Sequence, residues 1–187
     1  YYERVQLFLN FLKASGFKKG DRIINVGSLE DSTVLSLAVA QLGGHYIEYS
    51  LEETEDSFDY LMEDYDLNKY GGSAKHVQGE FSNSSHSASS DIPDNSQDFV
   101  LMMSGVLSDP FPESDAYRVL EEALRVIKNR GKIIVGSFLS LAELGWEPIK
   151  AKQIIQYVLQ SPTFKGKVEL KELPIGKPRH LLGIGHL

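Results

Sequence analysis

The chain contains no cysteine. That absence excludes disulfides, thiolate metal sites and a cysteine nucleophile, and it fits a cytoplasmic protein. Its five histidines show no His-x-x-x-His spacing, so no metal site is expected. No apolar run approaches the roughly 20 residues that a membrane helix needs, so no membrane span is expected. Positive charge is scarce in the first part of the chain. Residues 1–117 hold seven Lys or Arg against twenty Asp or Glu, whereas residues 118–187 hold twelve against six. The stretch Glu52, Glu53, Glu55, Asp56, Asp59, Glu63, Asp64, Asp66 has no basic residue within it. It reads as a solvated helix face. A phosphate backbone would be repelled there, so nucleic acid is not an expected partner.

What is present suffices for one domain spanning 1–187, a length that removes roughly 70% of the unfolded surface from water. Apolar spacing predicts a helix over 3–15, closed at Gly16. A short apolar run, Ile23-Ile24-Asn25-Val26, reads as a buried strand that opens into a loop at Gly27. A helix follows over 31–42, with Asp31 or Ser32 as its cap, and "HYIEYS" is a second strand. The acidic stretch 52–66 reads as a helix with Phe58, Leu61, Met62 and Tyr65 inward. "AKHVQGE" is a third strand, the serine-rich 82–90 a mobile loop, and "DFVLMMS" a strand buried on both faces. A helix over 114–128, a fifth strand "RGKIIVGSF" and a helix over 150–160 come next. Two terminal strands, "KVELKELP" and "RHLLGIGHL", pair antiparallel. The expected fold class is α/β: a doubly wound, mostly parallel seven-stranded sheet with a C-terminal antiparallel hairpin.

An open parallel sheet binds its ligand beyond the carboxyl ends of its strands, where the strand order reverses. The turns that matter hold Asn25, Gly27 and Ser28 after strand 1, and Glu48 and Tyr49 after strand 2. They hold Glu80 and Phe81 after strand 3, and Ser104 and Gly105 after strand 4. Glu48 lies 21 residues beyond Gly27, the offset at which nucleotide-binding α/β proteins place a carboxylate on the ribose hydroxyls. Glu80 is placed to face an adenine amino group or simply to make a turn. Ser104 and Asp109 near the fourth strand, and His86 swinging in from the serine-rich loop, are the groups that could move a proton. His76 reads as a packed or surface histidine.

The order "DRIINVGSLEDST … HYIEYSLEE … HVQGEF … DIPDNSQDFVLMMSGVL … YRVLEEALRVIKNRGKIIV" resembles the class I S-adenosylmethionine-dependent methyltransferases, above all the small-molecule group. The likeness spans about residues 20–138 and is most specific over 91–136. It implies a Rossmann-like methyltransferase fold and S-adenosylmethionine as cofactor, with Glu48 on the ribose and Glu80 on the adenine side. The family's turn before strand 5 reads Pro-Gly-Gly; here it is Asn129-Arg130-Gly131. The family's cofactor loop carries an acid and then three glycines at alternate positions. Those positions fall here on Asn25, Gly27, Leu29 and Asp31, so one glycine survives. The resemblance implies methyl transfer to a small molecule or a protein. The alternative is a member of the fold that has lost cofactor binding and acts as a scaffold for a protein partner. A nicotinamide-dependent oxidoreductase is disfavoured because GxGxxG is absent.

Overall fold

The computed structural model describes residues 2–27, 32–51, 62–103, 113–136, 168–173 and 181–186, together with residues 156, 160 and 162. Helix α1 (Tyr2–Ala14) leads into strand β1 (Arg22–Val26), helix α2 (Ser32–Gln41) and strand β2 (His45–Ser50). A short 3-10 turn (Leu67–Tyr70) precedes β3 (Ser73–Gln78). Then come β4 (Gln97–Met103), α3 (Glu113–Val126), β5 (Ile127–Gly136), β6 (Val168–Leu173) and β7 (Leu181–His186). The strands lie in the order β3-β2-β1-β4-β5-β7-β6. The first five run parallel. β7 pairs antiparallel with β5, and β6 antiparallel with β7. The fold is therefore α/β around a parallel five-stranded sheet, of the Rossmann-like kind. Strand order reverses between β1 and β4, which fixes where a ligand crevice belongs.

The strands are apolar on both faces because helices cover both faces. Along β1, Ile23 points to one side and Ile24 to the other; along β4, Phe99 and Leu101 oppose Val100 and Met102. One core layer joins Ile23, Tyr46, Phe99, Leu101 and Ile134 to Phe8, Phe11 and Leu12 of α1 and to Val34, Leu35 and Val39 of α2. α2 is apolar nearly all round because it lies between the sheet and α1. The other layer packs Ile24, Val26, Tyr49, Val100 and Met102 against Ala116, Val119, Leu120, Ala123 and Leu124 of α3. Each large side chain buried this way contributes roughly 1.5–3 kcal/mol.

Several elements depart from the sequence-based expectation. The segment 82–90, expected as a loop, is tied to the body of the fold: Ser82, Ser87 and Ser89 are buried, bonded to each other and to α3. Serine-rich composition signals poor apolar burial, but these hydroxyls find partners inside the chain. Tyr65, expected on an inner helical face, is 51% exposed, because regular helix ends at residue 64. β5 begins at Ile127 and reaches regular pairing only at Lys132, after an irregularity opposite Gln97–Phe99. Within it Arg130 has φ 67°, the left-handed conformation that a glycine would adopt without strain. Most of the acidic stretch and of the 150–160 helix lies outside the described residues.

Candidate functional site

β1 and β2 run parallel with Asn25 opposite Glu48 and Val26 opposite Tyr49. β3 continues the register, with His76 opposite Glu48. Paired residues on neighbouring strands share a face, so Asn25, Glu48 and His76 form one polar row across three strands. The row lies on the α2 side of the sheet, near the strands' carboxyl ends. Tyr46 precedes Glu48 by two residues and so shares its face.

Glu48 is 0% exposed, and Asn25 and Tyr46 are equally buried. The Tyr46 hydroxyl donates to Glu48 Oε2 at 2.8 Å. Asn25 Nδ2 lies 3.1 Å from the Tyr46 hydroxyl, 3.3 Å from the Gly27 carbonyl, and 3.5 Å from both Ser32 Oγ and Glu48 Oε2. Those oxygens require the amide's donor side, which fixes the Asn25 orientation and turns Oδ1 away from them. Burial first, then the charge and hydrogen bond of Glu48, raise the Tyr46 hydroxyl well above its ordinary value. It therefore stays a donor through the neutral range.

Three buried atoms of this row have no partner: Asn25 Oδ1, Glu48 Oε1 and His76 Nε2. A buried acceptor without a donor costs about 1–3 kcal/mol, more when charged, so such atoms are rare unless a bound group satisfies them. Asn25 Oδ1 and Glu48 Oε1 are acceptors, which matches a ligand that offers hydroxyl or ammonium hydrogens. Gly27 follows with φ 91°, and its amide donates to the Tyr49 carbonyl at 2.8 Å. A residue with a Cβ would be strained in that conformation, and glycine also allows close approach to the backbone.

The other residues expected at the site divide between the two faces. Tyr49 lies on the α3 side, away from the polar row, with its ring centroid 5.4 Å from that of Phe81. Both rings are buried. Glu80, at the turn after β3, is half exposed and lies 3.3 Å from Arg118 of α3. Ser28, Ser104, Gly105 and Asp109 fall outside the described residues, as do Leu29, Glu30 and Asp31. His86 is exposed. The structure adds Tyr46 and His76, which sequence reasoning did not place at the site. Period-2 alternation from Glu48 would have found Tyr46; His76 needed the β2–β3 register. Among the described residues no group of three His, Cys, Asp or Glu is placed to hold a metal ion, and no helix is long and apolar enough to cross a membrane.

No protein-family model matches the sequence, and no curated protein matches it by sequence. Solved structures do match. An rRNA methylase from Streptococcus thermophilus aligns with TM-score 0.60 at 10% identity, over 98% of this chain and 96% of that one. The 1,6-didemethyltoxoflavin-N1-methyltransferase from Burkholderia thailandensis, solved with S-adenosylhomocysteine, aligns with TM-score 0.59 at 10% identity, over 98% and 77%. The [4+2]-cyclase SpnF aligns with TM-score 0.60 at 13% identity; 89% of this chain spans 57% of that one. These likenesses show that the chain has the class I S-adenosylmethionine-dependent methyltransferase fold. The neighbours' names cover an RNA, a small-molecule acceptor and a cyclisation, so they leave the reacting partner open.

Proposed function

We propose that this chain binds S-adenosylmethionine at the carboxyl ends of β1 and β2 and transfers its methyl group to a small molecule or a protein. The observation that carries the reading is the pair of buried, unpartnered acceptors Asn25 Oδ1 and Glu48 Oε1 at the strand-order switch. They fit the ribose part of the cofactor, whose two hydroxyls are donors. The fold supports the same reading, since a neighbour of this fold is named with S-adenosylhomocysteine bound. When bound, the cofactor supplies an electrophilic methyl group on a sulfonium.

The chain's own residues then have separable roles. Glu48 accepts from the ribose through Oε1 while Tyr46 holds Oε2 at 2.8 Å. Asn25 presents Oδ1, its amide fixed by the oxygens around it. Gly27 lets the backbone approach the ligand. Glu80 and Phe81 mark the adenine side, and Ser28, Tyr49, Ser104 and Gly105 are the remaining residues assigned to this site from the sequence. Methyl transfer relies on alignment more than on acid–base chemistry, so this reading needs no dedicated general base. The acidic balance of residues 1–117 favours a small molecule or protein over a phosphate-bearing acceptor. The antiparallel pairing of β6 with β7 supports reading the sheet as the seven-stranded form that the resemblance implies, and a cytoplasmic location fits the lack of cysteine.

Calorimetric titration with S-adenosylmethionine and S-adenosylhomocysteine tests this. Binding near ~1–100 μM is expected, and Glu48→Ala should abolish it. Retained binding in Glu48→Ala would show that the cofactor lies elsewhere. A folded wild type that binds neither ligand at millimolar concentration would instead make the chain a non-catalytic member of the fold.

A further inference from the structure

The four charged residues Arg118, Glu121, Glu122 and Arg125 stand at i, i+3, i+4 and i+7 on α3, one helical stripe. Alternating signs at that spacing ordinarily mark a solvent face. Here the stripe instead grips the segment that follows β3. Glu122 is 2% exposed. Its Oε1 accepts from Ser89 Oγ at 2.7 Å and from Arg125 at 2.7 Å, while Oε2 accepts from Arg125 Nε at 2.9 Å. Arg125 also donates to the Ile92 carbonyl at 2.8 Å and to Asp94 at 2.5 Å. Asn83 bonds to Glu121, and Arg118 pairs with Glu80.

The serines carry this anchorage back to the turn. Ser87 Oγ accepts from the Ser89 amide at 3.2 Å and from the Ser82 amide at 3.1 Å, and donates to the Glu80 carbonyl at 2.5 Å. The Ala88 amide donates to the same Glu80 carbonyl at 3.0 Å. Folding the segment back this tightly requires Gly79: a Cβ there would stand 2.5 Å from Ala88 Cβ. The Glu80–Phe81 turn is therefore held from both sides, by Arg118 at the Glu80 side chain and by Ser87 at its backbone.

We propose that Ser87, Ser89, Glu122 and Arg125 form a positioning clasp that sets the Glu80–Phe81 turn for recognition of the cofactor's purine edge. The proposal rests on the reading of an adenosyl ligand at β1 and β2. The clasp residues act through Glu80 and Phe81 and do not themselves touch the ligand. Selectivity for adenine over a purine that bears a carbonyl in place of the amino group therefore depends on them, whereas ribose-based affinity does not.

The test compares binding of S-adenosylhomocysteine with binding of its deaminated counterpart, S-inosylhomocysteine, by the intact chain. Wild type should prefer the adenosyl ligand by about tenfold or more, the worth of one well-placed hydrogen bond or two. Ser89→Ala and Ser87→Ala should each cut the preference to about threefold or less, through weaker adenosyl binding at nearly unchanged inosyl binding. A merely structural loss would weaken both ligands together. Preference retained in both folded variants overturns the clasp while leaving the cofactor reading intact. A wild type that binds neither ligand overturns the cofactor reading and the clasp with it.

Discussion

Two buried polar clusters lie on opposite faces of the same sheet, and they differ in how completely they are satisfied. On the α3 side, every polar atom of Ser87, Ser89 and Glu122 that is shut from water has a partner in the chain, and Glu122 is held bidentately by Arg125. On the α2 side, the row Asn25–Glu48–His76 leaves one buried atom of each residue unpartnered. Both clusters cost desolvation. The first recovers that cost internally and therefore belongs to the architecture. The second does not recover it, which is the pattern expected where a bound group completes the bonding. Between these two clusters, satisfaction, more than burial or charge, marks the one proposed as the ligand site; Ser15 Oγ and Gln97 Oε1, outside both clusters, are buried and unpartnered too.

The largest effect should come from breaking the satisfied cluster. Arg125→Ala leaves the Glu122 carboxylate buried with Ser89 as its remaining donor. Removing one partner of a buried pair costs about 3–5 kcal/mol, and the 31% exposure of Arg125 places the loss near the lower end, about 3 kcal/mol. Urea unfolding should show a lower midpoint at unchanged m. A loss below about 1 kcal/mol would mean that the cluster contributes little to the fold.

The unsatisfied row should behave in the opposite way. Glu48→Gln removes a buried charge that has an unpartnered oxygen, so the folded state should hold its stability or gain about 1 kcal/mol. Affinity for S-adenosylhomocysteine should fall by about tenfold or more in the same variant, because the ribose loses a charged acceptor. Stability measured by urea unfolding and affinity measured by calorimetry must then move apart. A destabilisation of about 2 kcal/mol or more would show that the carboxylate serves the fold, and the contrast between the two faces would collapse.

Much of the fold was legible in the sequence because its signals are local. Ile23–Val26, the apolar run of α2 and the α3 periodicity each mark an element within a few residues. The sequence also placed Asn25 and Glu48 at the ends of β1 and β2, whereas their pairing came from the register of the two strands. What was not legible depended on register or on partners distant in sequence. His76 reads as an ordinary strand histidine until β3 is set beside β2. Ser89 reads as part of a mobile tract because its partner, Glu122, lies 33 residues away. Arg130 in a left-handed conformation is visible only in the backbone. Composition reports how much apolar surface a segment can bury, and it is silent about hydroxyls that close a network with another element.

The smallest effect concerns Tyr46, where the site and the fold share one hydroxyl. Burial, the Glu48 charge and the Glu48 hydrogen bond all favour the protonated phenol in the folded state. Below the ordinary tyrosine value, near pH 10, both folded and unfolded chains keep that proton, and the stabilising contribution is fully present. As pH rises past that value the unfolded chain loses its proton first, so stability falls until the folded phenol also titrates. The slope is at most about 1.4 kcal/mol per pH unit for one group. Tyr46→Phe should cost about 1 kcal/mol at neutral pH, since Glu48 Oε2 loses its nearer donor and keeps only Asn25 Nδ2 at 3.5 Å. It should also show a shallower decline above about pH 10. Tyr49, which is likewise raised by burial and by the nearby charges of Glu122 and Asp91, remains in the variant and supplies a residual slope. Urea unfolding of both proteins at about pH 9, 10 and 11 reads the difference. Parallel declines would mean that Tyr46 ionises as freely in the folded chain as in the unfolded one, and that its bond to Glu48 does not shape the row.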